Sequence, residues 1–453
     1  MFLGNALSSA SSGLDSISRQ LALVSQNIAN AGTPNYVRET LPLASAEAGG
    51  QTFGVRSGVA TRAMDEQLQA NLFAAVGSEA GEQVAQSALA QIDQVSGAPG
   101  SGQDLSSLFG ALRDSFSQLA NDPANGTQQR VVVNRAQSLA DGLHRLGSAM
   151  LNAQQNAQDS LVKAKDAANA ALHALGTLSD QIILARSRGQ STADLEDQRD
   201  GQMRTLAQLT GARSVPQANG DLLVIAGSAP LPLRASSGPF SIGNATFAPG
   251  TPPGSAPGLM LNGTPVTGLG GEMGANLTLR DKTVPGLQSG LDDFAQSMAA
   301  GFSSQGLTLF TDASGAVPGV GTVGFSSTIQ VSTAVQATPS MVRDGATPSG
   351  AAGDTTLINK VLDGVFASGA TTLSGQAAAL VAGHAQLAAA SASRADTDKA
   401  VRQGLESKLS ASTGVSVDTE MTDMIRLQSA YAANAKVIAA VQDMWTQLLG
   451  TVR

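Results

Sequence analysis

The chain has 453 residues, a net charge of −8 and an isoelectric point near 4.9, which argues against a nucleic-acid partner because no basic patch offsets phosphate charge. It has no cysteine, so disulfides, thiol catalysis and thiolate metal sites are excluded, and such a chain suits passage unfolded through an export channel. Aromatic residues make up 3% and charged residues 14%, so thin cores are expected, propped by long helices and neighbouring subunits.

At the start, Leu3, Leu7, Ala10, Leu14, Ile17, Leu21, Val24 and Ile28 alternate in steps of four and three, the a/d seam of a coiled-coil helix. The helix stops near Pro34, which has no N–H to donate and biases Thr33 toward extended backbone. Its end is an asparagine-rich corner made of Asn27, Asn30, Thr33, Asn35 and Tyr36. There is no basic segment ahead of a long apolar run, so no cleavable secretory signal is expected, and no stretch approaches the roughly 20 apolar residues of a membrane span. These features predict a cytoplasmic chain, or one exported without a cleavable signal, with no membrane contact.

Extended, glycine-broken segments follow through Phe53-Gly54-Val55 to Thr61-Arg62, and helical periodicity resumes from Asp65 to Val95. The break at Gly97-Ala98-Pro99-Gly100-Ser101-Gly102 precedes an amphipathic helix on Leu105, Leu108, Leu112, Phe116 and Leu119, which Pro123 stops. From Thr127 to Arg188 there is no proline, and the apolar positions step by three or four from Leu139 to Ile182. One helix of that span is about 90 Å long, a length that fibrous assemblies need and globular domains rarely do. Thr192 is the expected cap of a further helix bearing Leu195, Met203, Leu206 and Leu209, with Gly211 past its end.

The character then changes. From Ala212 to Gly271, prolines, glycines, the run Leu222-Leu223-Val224-Ile225 and the pairs Asn219-Gly220 and Asn262-Gly263 predict hairpins in a small β insert. Helix returns from Glu272 to Phe302, kinked or divided at Pro285. A second β-rich block runs from Leu307 to Val342, and helices follow at 355–366 and 373–409. In the last stretch Met424, Gln428, Tyr431, Ala435, Ile438, Gln442, Trp445, Leu449 and Val452 continue a heptad, while Val437, Val441, Met444 and Leu448 widen its apolar face. A two-helix hairpin needs only one seam, so the wider face implies a third surface, such as another subunit. An ordinary intramolecular core gives similar stripes, but both tyrosines and the single tryptophan lie in the terminal segments, as expected of contacts with one apolar and one wet side.

Motifs that would carry chemistry are weak. His144, His173 and His384 are far apart with no metal-ligand spacing, and read as solvated or lightly packed helix residues. Gly319, Gly321 and Gly324 fit GxGxxG, but Phe325-Ser326-Ser327-Thr328-Ile329 behind them reads as strand, so no dinucleotide site is expected. Asp197 and Asp200 read as helix-surface charges, with Arg199 able to pair locally. No catalytic, cofactor-binding or metal residue is assigned.

Ser25-Gln26-Asn27-Ile28-Ala29-Asn30 with Thr33-Pro34-Asn35-Tyr36-Val37-Arg38 resembles the N-terminal signature of the flagellar rod, hook and hook-associated protein family. Val417-Asp418-Thr419-Glu420-Met421 with Ala430-Tyr431-Ala432-Ala433-Asn434-Ala435-Lys436-Val437-Ile438 resembles its C-terminal signature. In the middle, Asp197-Gln198-Arg199-Asp200, Gly270-Gly271-Glu272-Met273-Gly274, Arg280-Asp281 and Val284-Pro285-Gly286-Leu287 resemble the hook-associated branch, found between hook and filament. Two positions depart from the pattern. Asn35 stands where glycine is usual, a place for positive φ that Asn tolerates, and Thr419 replaces a common acidic residue.

The resemblance implies a non-enzymatic structural protein of the bacterial flagellum with no cofactor, secreted through the type III export route. Its implied partners are itself in a ring or layer, the flagellar hook protein, a second hook–filament junction protein, and an export chaperone on the C-terminal helix. The alternatives are a hook or distal rod subunit or, from another class, a secreted adhesin or hydrolase acting through the β inserts. The expected fold is mainly α with β inserts. Residues 1–65 and 410–453 form a terminal coiled-coil polymerisation module, 66–211 with 272–305 and 355–409 a helical rod domain, and 212–271 with 306–354 a β-rich outer insert. The subunit interface is assigned to Leu14, Ile17, Leu21, Val24, Ile28, Tyr431, Ile438, Trp445 and Leu449.

Overall fold

The N-terminal stripe forms a single helix, α1 (Phe2–Asn30), in a computed structural model that describes residues 2–33, 36–48, 51–235, 238–347, 351–369 and 372–450. Pro34 and Asn35, and so the turn expected there, lie outside the described residues, as do Val452 and the side chains of Leu3 and Leu448. Four short strands follow: β1 (Glu39–Thr40), β2 (Leu43–Ala48), β3 (Gln51–Ser57) and β4 (Thr61–Arg62). β2 and β3 pair as an antiparallel hairpin, and β1 pairs with β4. Asp65 accepts the Leu68 N–H at 2.9 Å and so starts α2 (Glu66–Ser96). Asp104 caps α3 (Leu105–Asn121), accepting the Ser107 N–H at 3.0 Å. The long proline-free stretch is one helix, α4 (Gly126–Ser187), of 62 residues. α5 (Ala193–Thr210) ends at Gly211, whose φ of 65° is the left-handed conformation of a helix stop. Thr192 does not cap it as expected, because its hydroxyl donates to Glu196 at 2.8 Å instead of holding a backbone N–H.

The β-rich segment 212–271 forms two separate antiparallel sheets, β5 (Arg213–Pro216), β6 (Leu222–Ala226) and β7 (Ala229–Leu231), then β8 (Phe240–Ser241), β9 (Met260–Leu261) and β10 (Thr264–Pro265). Asn262 and Gly263, at φ 51° and 78°, make the two-residue turn between β9 and β10. α6 (Gly271–Thr278) passes through one π-helical turn, Leu279–Thr283, into α7 (Val284–Ser304). That wider turn lies just ahead of Pro285, whose missing N–H would otherwise break the ladder.

β11 (Phe310–Thr311) pairs with β12 (Gln330–Val331), and between them Phe325–Ser327 is a 3-10 turn where a strand was expected. The buried Asp292 carboxylate accounts for the difference, since it accepts the N–H groups of Gly324 at 2.7 Å and Ser326 at 2.9 Å in place of a strand partner. α8 (Thr333–Ala337), α9 (Met341–Asp344), α10 (Thr356–Gly364), α11 (Leu373–Thr413) and α12 (Val417–Gly450) complete the chain.

These elements form two compact units, Met1–Val76 with Ala168–Pro239 and Ala400–Arg453, and Gly77–Ala167 with Phe240–Lys399. In the second, the core is thicker than the average composition suggests, because phenylalanines gather in it. Phe302 lies 5.5 Å from Phe310 and 5.6 Å from Phe366, and Phe109 lies 5.9 Å from Phe294, with the rings edge-on or tilted. Leu139, Leu143, Leu146, Met150 and Ala157 of α4 are buried against this cluster. His384 is also buried in this unit, 4% exposed with its Nδ1 3.3 Å from Ser96 Oγ, so it is a core residue and not the solvated or lightly packed histidine expected.

In the first unit, α1 packs along α12, and Ala168, Leu172, Leu175 and Ile182 of α4 are buried with Met203 and Leu206 of α5. The β2–β3 hairpin crosses α1 at Gly54. A Cβ there would fall 2.1 Å from Ser12 Oγ, so only glycine allows the approach.

Candidate functional site

The N-terminal corner and the start of α12 meet around one side chain, Asn27, which is 1% exposed. Its Nδ2 donates to the Glu39 carbonyl at 3.0 Å and to Glu420 Oε2 at 3.2 Å. Its Oδ1 accepts from the Tyr36 hydroxyl at 2.9 Å and from the Glu39 N–H at 3.1 Å. The carboxamide therefore uses two acceptor and two donor sites, which fixes its orientation. Arg38 closes the ring: its Nε donates to Glu420 Oε1 at 2.5 Å, its Nη2 lies 3.5 Å from Asp423, and its N–H donates to the Thr413 carbonyl at 2.9 Å. Glu420 is fully buried, so Asn27 and Arg38 meet its charge where water does not.

A second cluster lies beside the first. Arg62, with its side chain 8% exposed, donates through Nη1 to Asp197 Oδ1 and Asp200 Oδ2, both at 2.6 Å, and its Nε is 3.2 Å from Glu196. Asp197 also accepts the Val37 N–H at 3.2 Å, and Asp200 accepts from Gln69 at 2.6 Å. The reading of Asp197 and Asp200 as helix-surface charges is thus corrected: they are the acceptors that tie the corner and β4 to α5. Arg199 is corrected with them. It is 7% exposed and donates to the Gly220 carbonyl at 2.9 Å, away from its neighbouring acids.

The electrostatics follow from this crowding. Burial, then the Asp194 and Asp197 carboxylates, push Glu39 up to about 7 against the pull of Arg62. Burial and the acids Glu39, Asp194, Asp197 and Glu420 raise the Tyr36 hydroxyl, which stays a neutral donor. Burial raises Asp197 despite its bonds to Arg62, whereas for Glu196 the bonds from Thr192 and Arg186 and the nearby charge of Arg62 outweigh burial and hold it below the usual range. Burial works against the Arg62 charge, yet Asp200 and Asp197 keep it protonated more firmly than usual.

The other expected corner residues contribute less. Asn30 donates to the Gln26 carbonyl at 3.2 Å inside its own helix and accepts from Thr33, which is exposed. Of the expected interface, Val24 is buried, Leu14, Ile17, Leu21, Ile28 and Ile438 are half-buried, and Tyr431, Trp445 and Leu449 are exposed. The face α12 turns to α1 is the row Glu420, Leu427, Asn434 and Val441, beside Met424 and Ile438. The row Gln428, Ala435, Gln442 and Leu449, taken from sequence as part of the seam, faces away. Two of the four residues in each row are polar, so hydropathy alone does not choose between them.

Around the rest of α12, Val417, Met421, Ile425, Val437, Met444, Trp445 and Leu449 are 44% to 61% exposed, and only Glu420, Leu427 and Val441 of the described α12 side chains are buried. Sequence reasoning missed Arg38, Glu39, Arg62 and Glu420. Glu420 lies inside the C-terminal signature, but nothing in the spacing of Arg62 announces its partners. A cavity of about 500 Å³ beside Arg62 is lined by Arg186, Arg199, Glu196, Asp200 and Asp221 among others, a mixture of signs that selects neither anion nor cation. Among the described residues no cluster of three His, Asp or Glu could hold a metal ion, and no helix is long and apolar enough to cross a membrane.

Residues 89–316, about half of the chain, match the flagellar hook-associated protein FlgK helical domain, and residues 409–451 match the C-terminal domain of flagellar basal body rod FlgEFG proteins. The chain is similar to the solved flagellar hook junction protein FlgK from Burkholderia pseudomallei, at 25% identity and a TM-score of 0.44. That likeness covers 55% of this chain and 46% of the other, so this chain spans about half the length of the protein it matches. No curated protein matches it.

Proposed function

We propose, for a chain that belongs to the family of flagellar hook-associated protein FlgK, that it is a structural subunit of the bacterial flagellum, polymerising through its terminal helices at the junction between hook and filament. The observation that carries this reading is the two-faced last helix. One face of α12 packs on α1, while seven large apolar side chains on the rest of it stand in solvent, Trp445 and Leu449 among them. Single exposed apolar residues are ordinary on a protein surface; a run of them along one helix asks for a partner.

In the assembled tube these side chains pack against neighbouring copies, with Leu14, Ile17, Leu21, Val24, Ile28, Tyr431 and Ile438 completing the interface. The terminal module is 1–65 with 410–453, the helical rod is 66–211 with 272–305 and 355–409, and the β-rich outer surface is 212–271 with 306–354. Because so little of α12 is buried in one copy, the two end helices are thinly held in the monomer and become fully ordered only on docking. The hook protein lies on one side and a second junction protein on the other. The subunit leaves the cell by the flagellar type III route, with a chaperone covering the apolar face of α12 beforehand.

Deleting the chain from Met444 onward tests the role. The expected cell keeps its hook, lacks a filament and loses flagellin to the medium; a normally filamented cell refutes it. Proteolysis of the soluble monomer tests the thinly held ends: both are expected to be digested ahead of the rest, and protected ends in a monomer refute ordering on assembly.

A further inference from the structure

The chain contains three Asn-Gly pairs, Asn125-Gly126, Asn219-Gly220 and Asn262-Gly263. In this dipeptide the backbone nitrogen after the asparagine belongs to a residue without Cβ, so it attacks the side-chain carbonyl with the least steric hindrance. By sequence the three are alike. The fold makes them different.

Asn125 is held at the start of α4. Its Oδ1 accepts the N–H groups of Thr127 at 3.0 Å and Gln128 at 3.2 Å, and its Nδ2 donates to Asp122 at 3.1 Å. Asn219 is held in the loop between β5 and β6. Its Oδ1 accepts the Asp221 N–H at 3.0 Å, and the nitrogen that would attack, Gly220 N, donates to the Gln217 carbonyl at 2.9 Å. Asn262 is exposed, and among the described residues neither its carboxamide nor the Gly263 N–H has a hydrogen-bond partner.

We propose that Asn262 is a site of spontaneous deamidation in the folded chain, ageing to aspartate and isoaspartate while Asn125 and Asn219 stay intact. The Gly263 nitrogen bonds to Asn262 Cγ, the Cγ–Nδ2 bond breaks, and the amide proton of Gly263 leaves with the nitrogen as ammonia. Water then opens the cyclic imide: at Cγ it gives aspartate, at the main-chain carbonyl it gives isoaspartate. No enzyme, oxidant or cofactor enters the balance.

The turn holds both residues at positive φ, so the chain has to open locally before the nitrogen reaches Cγ. Little opposes that opening. β9 and β10 are two residues each, and both residues of β10 are exposed. At Asn125 and Asn219 the same step has to break the bonds that pin the side chain, and at Asn125 also the first turn of α4. Isoaspartate carries its Cβ within the main chain, so the two-residue loop lengthens and the pairing of Leu261 with Thr264 is lost. The reaction is irreversible and leaves a time-dependent mark on the edge of this sheet.

Peptide mapping by mass spectrometry tests it on the full chain, aged at mildly alkaline pH either folded or in denaturant. The unfolded chain supplies the intrinsic rate at each pair, so the readout is the folded-to-unfolded rate ratio. That ratio is expected to be larger at Asn262 than at Asn125 and Asn219 by about tenfold or more. Isoaspartate, assayed by enzymatic methylation of the folded chain, is expected to disappear in Asn262→Ser. Equal ratios at the three pairs, or an isoaspartate signal that survives Asn262→Ser, overturns the proposal.

Discussion

Asn27 near the end of the first helix and Glu420 near the start of the last, 393 positions apart, meet at 3.2 Å in a place closed to water. The contact joins the chain ends through a polar group in which every member has a partner, and such a group is costly to damage.

Asn27→Ala leaves the Tyr36 hydroxyl, the Glu39 N–H and the buried Glu420 carboxylate each short of a partner. The expected loss is on the order of 2–4 kcal/mol by chemical denaturation. Asn27→Asp is expected to be at least as damaging, because it sets a second carboxylate against Glu420. A loss below that of an average surface substitution would remove Asn27 from the centre of the corner.

Arg62→Ala removes the cation that bridges Asp197 and Asp200 and leaves two carboxylates facing each other in a half-buried site. A loss of roughly 3–5 kcal/mol is expected. Arg62→Lys is expected to recover only part of it, since an ammonium group does not present the planar fork that reaches Asp197, Asp200 and Glu196 together. Full recovery by lysine would show that charge, not geometry, sets the contact.

Glu39 gives the first unit a pH dependence of unusual sign. Its ordinary value is 4.5 and the fold raises it to about 7, so ionising it opposes folding. The penalty is complete above about 7, falls as the pH drops through that value, and vanishes below 4.5, where the folded and unfolded chains both hold the proton. Lowering the pH through this window should therefore stabilise the wild type relative to Glu39→Gln, by on the order of 3 kcal/mol in full. Parallel stability–pH curves for the two chains would contradict this.

Trp445, the only tryptophan, offers a test of the proposed assembly. It is 53% exposed in the single copy, so its emission should be that of a wet indole and should shift to the blue when copies associate. Trp445→Ser and Leu449→Ser are expected to change monomer stability by no more than about 0.5 kcal/mol while preventing assembly. Unchanged assembly in both variants would assign the exposed face to another role.

Local physics made much of this protein legible before any fold was known. Steps of three and four, the absence of proline between 127 and 188, the break at 97–102 and glycine at 211 set the long helices and their ends, because each acts within a turn or two of the chain. The terminal signatures pointed to the corner through their resemblance to a family. Choices between near-equal options needed the tertiary structure. Whether α12 buries the row with Leu427 and Val441 or the row with Leu449 depends on what α1 presents, and hydropathy barely separates the two. Arg62, Asp197 and Asp200 look like any surface charges until β4 and α5 are brought together, after which burial and distance give them their roles. Sequence by itself determined the long helices, where they stop and which ends belong together; only the fold decided which face is buried and which charges meet, since desolvation and pairing depend on neighbours more than a hundred residues away.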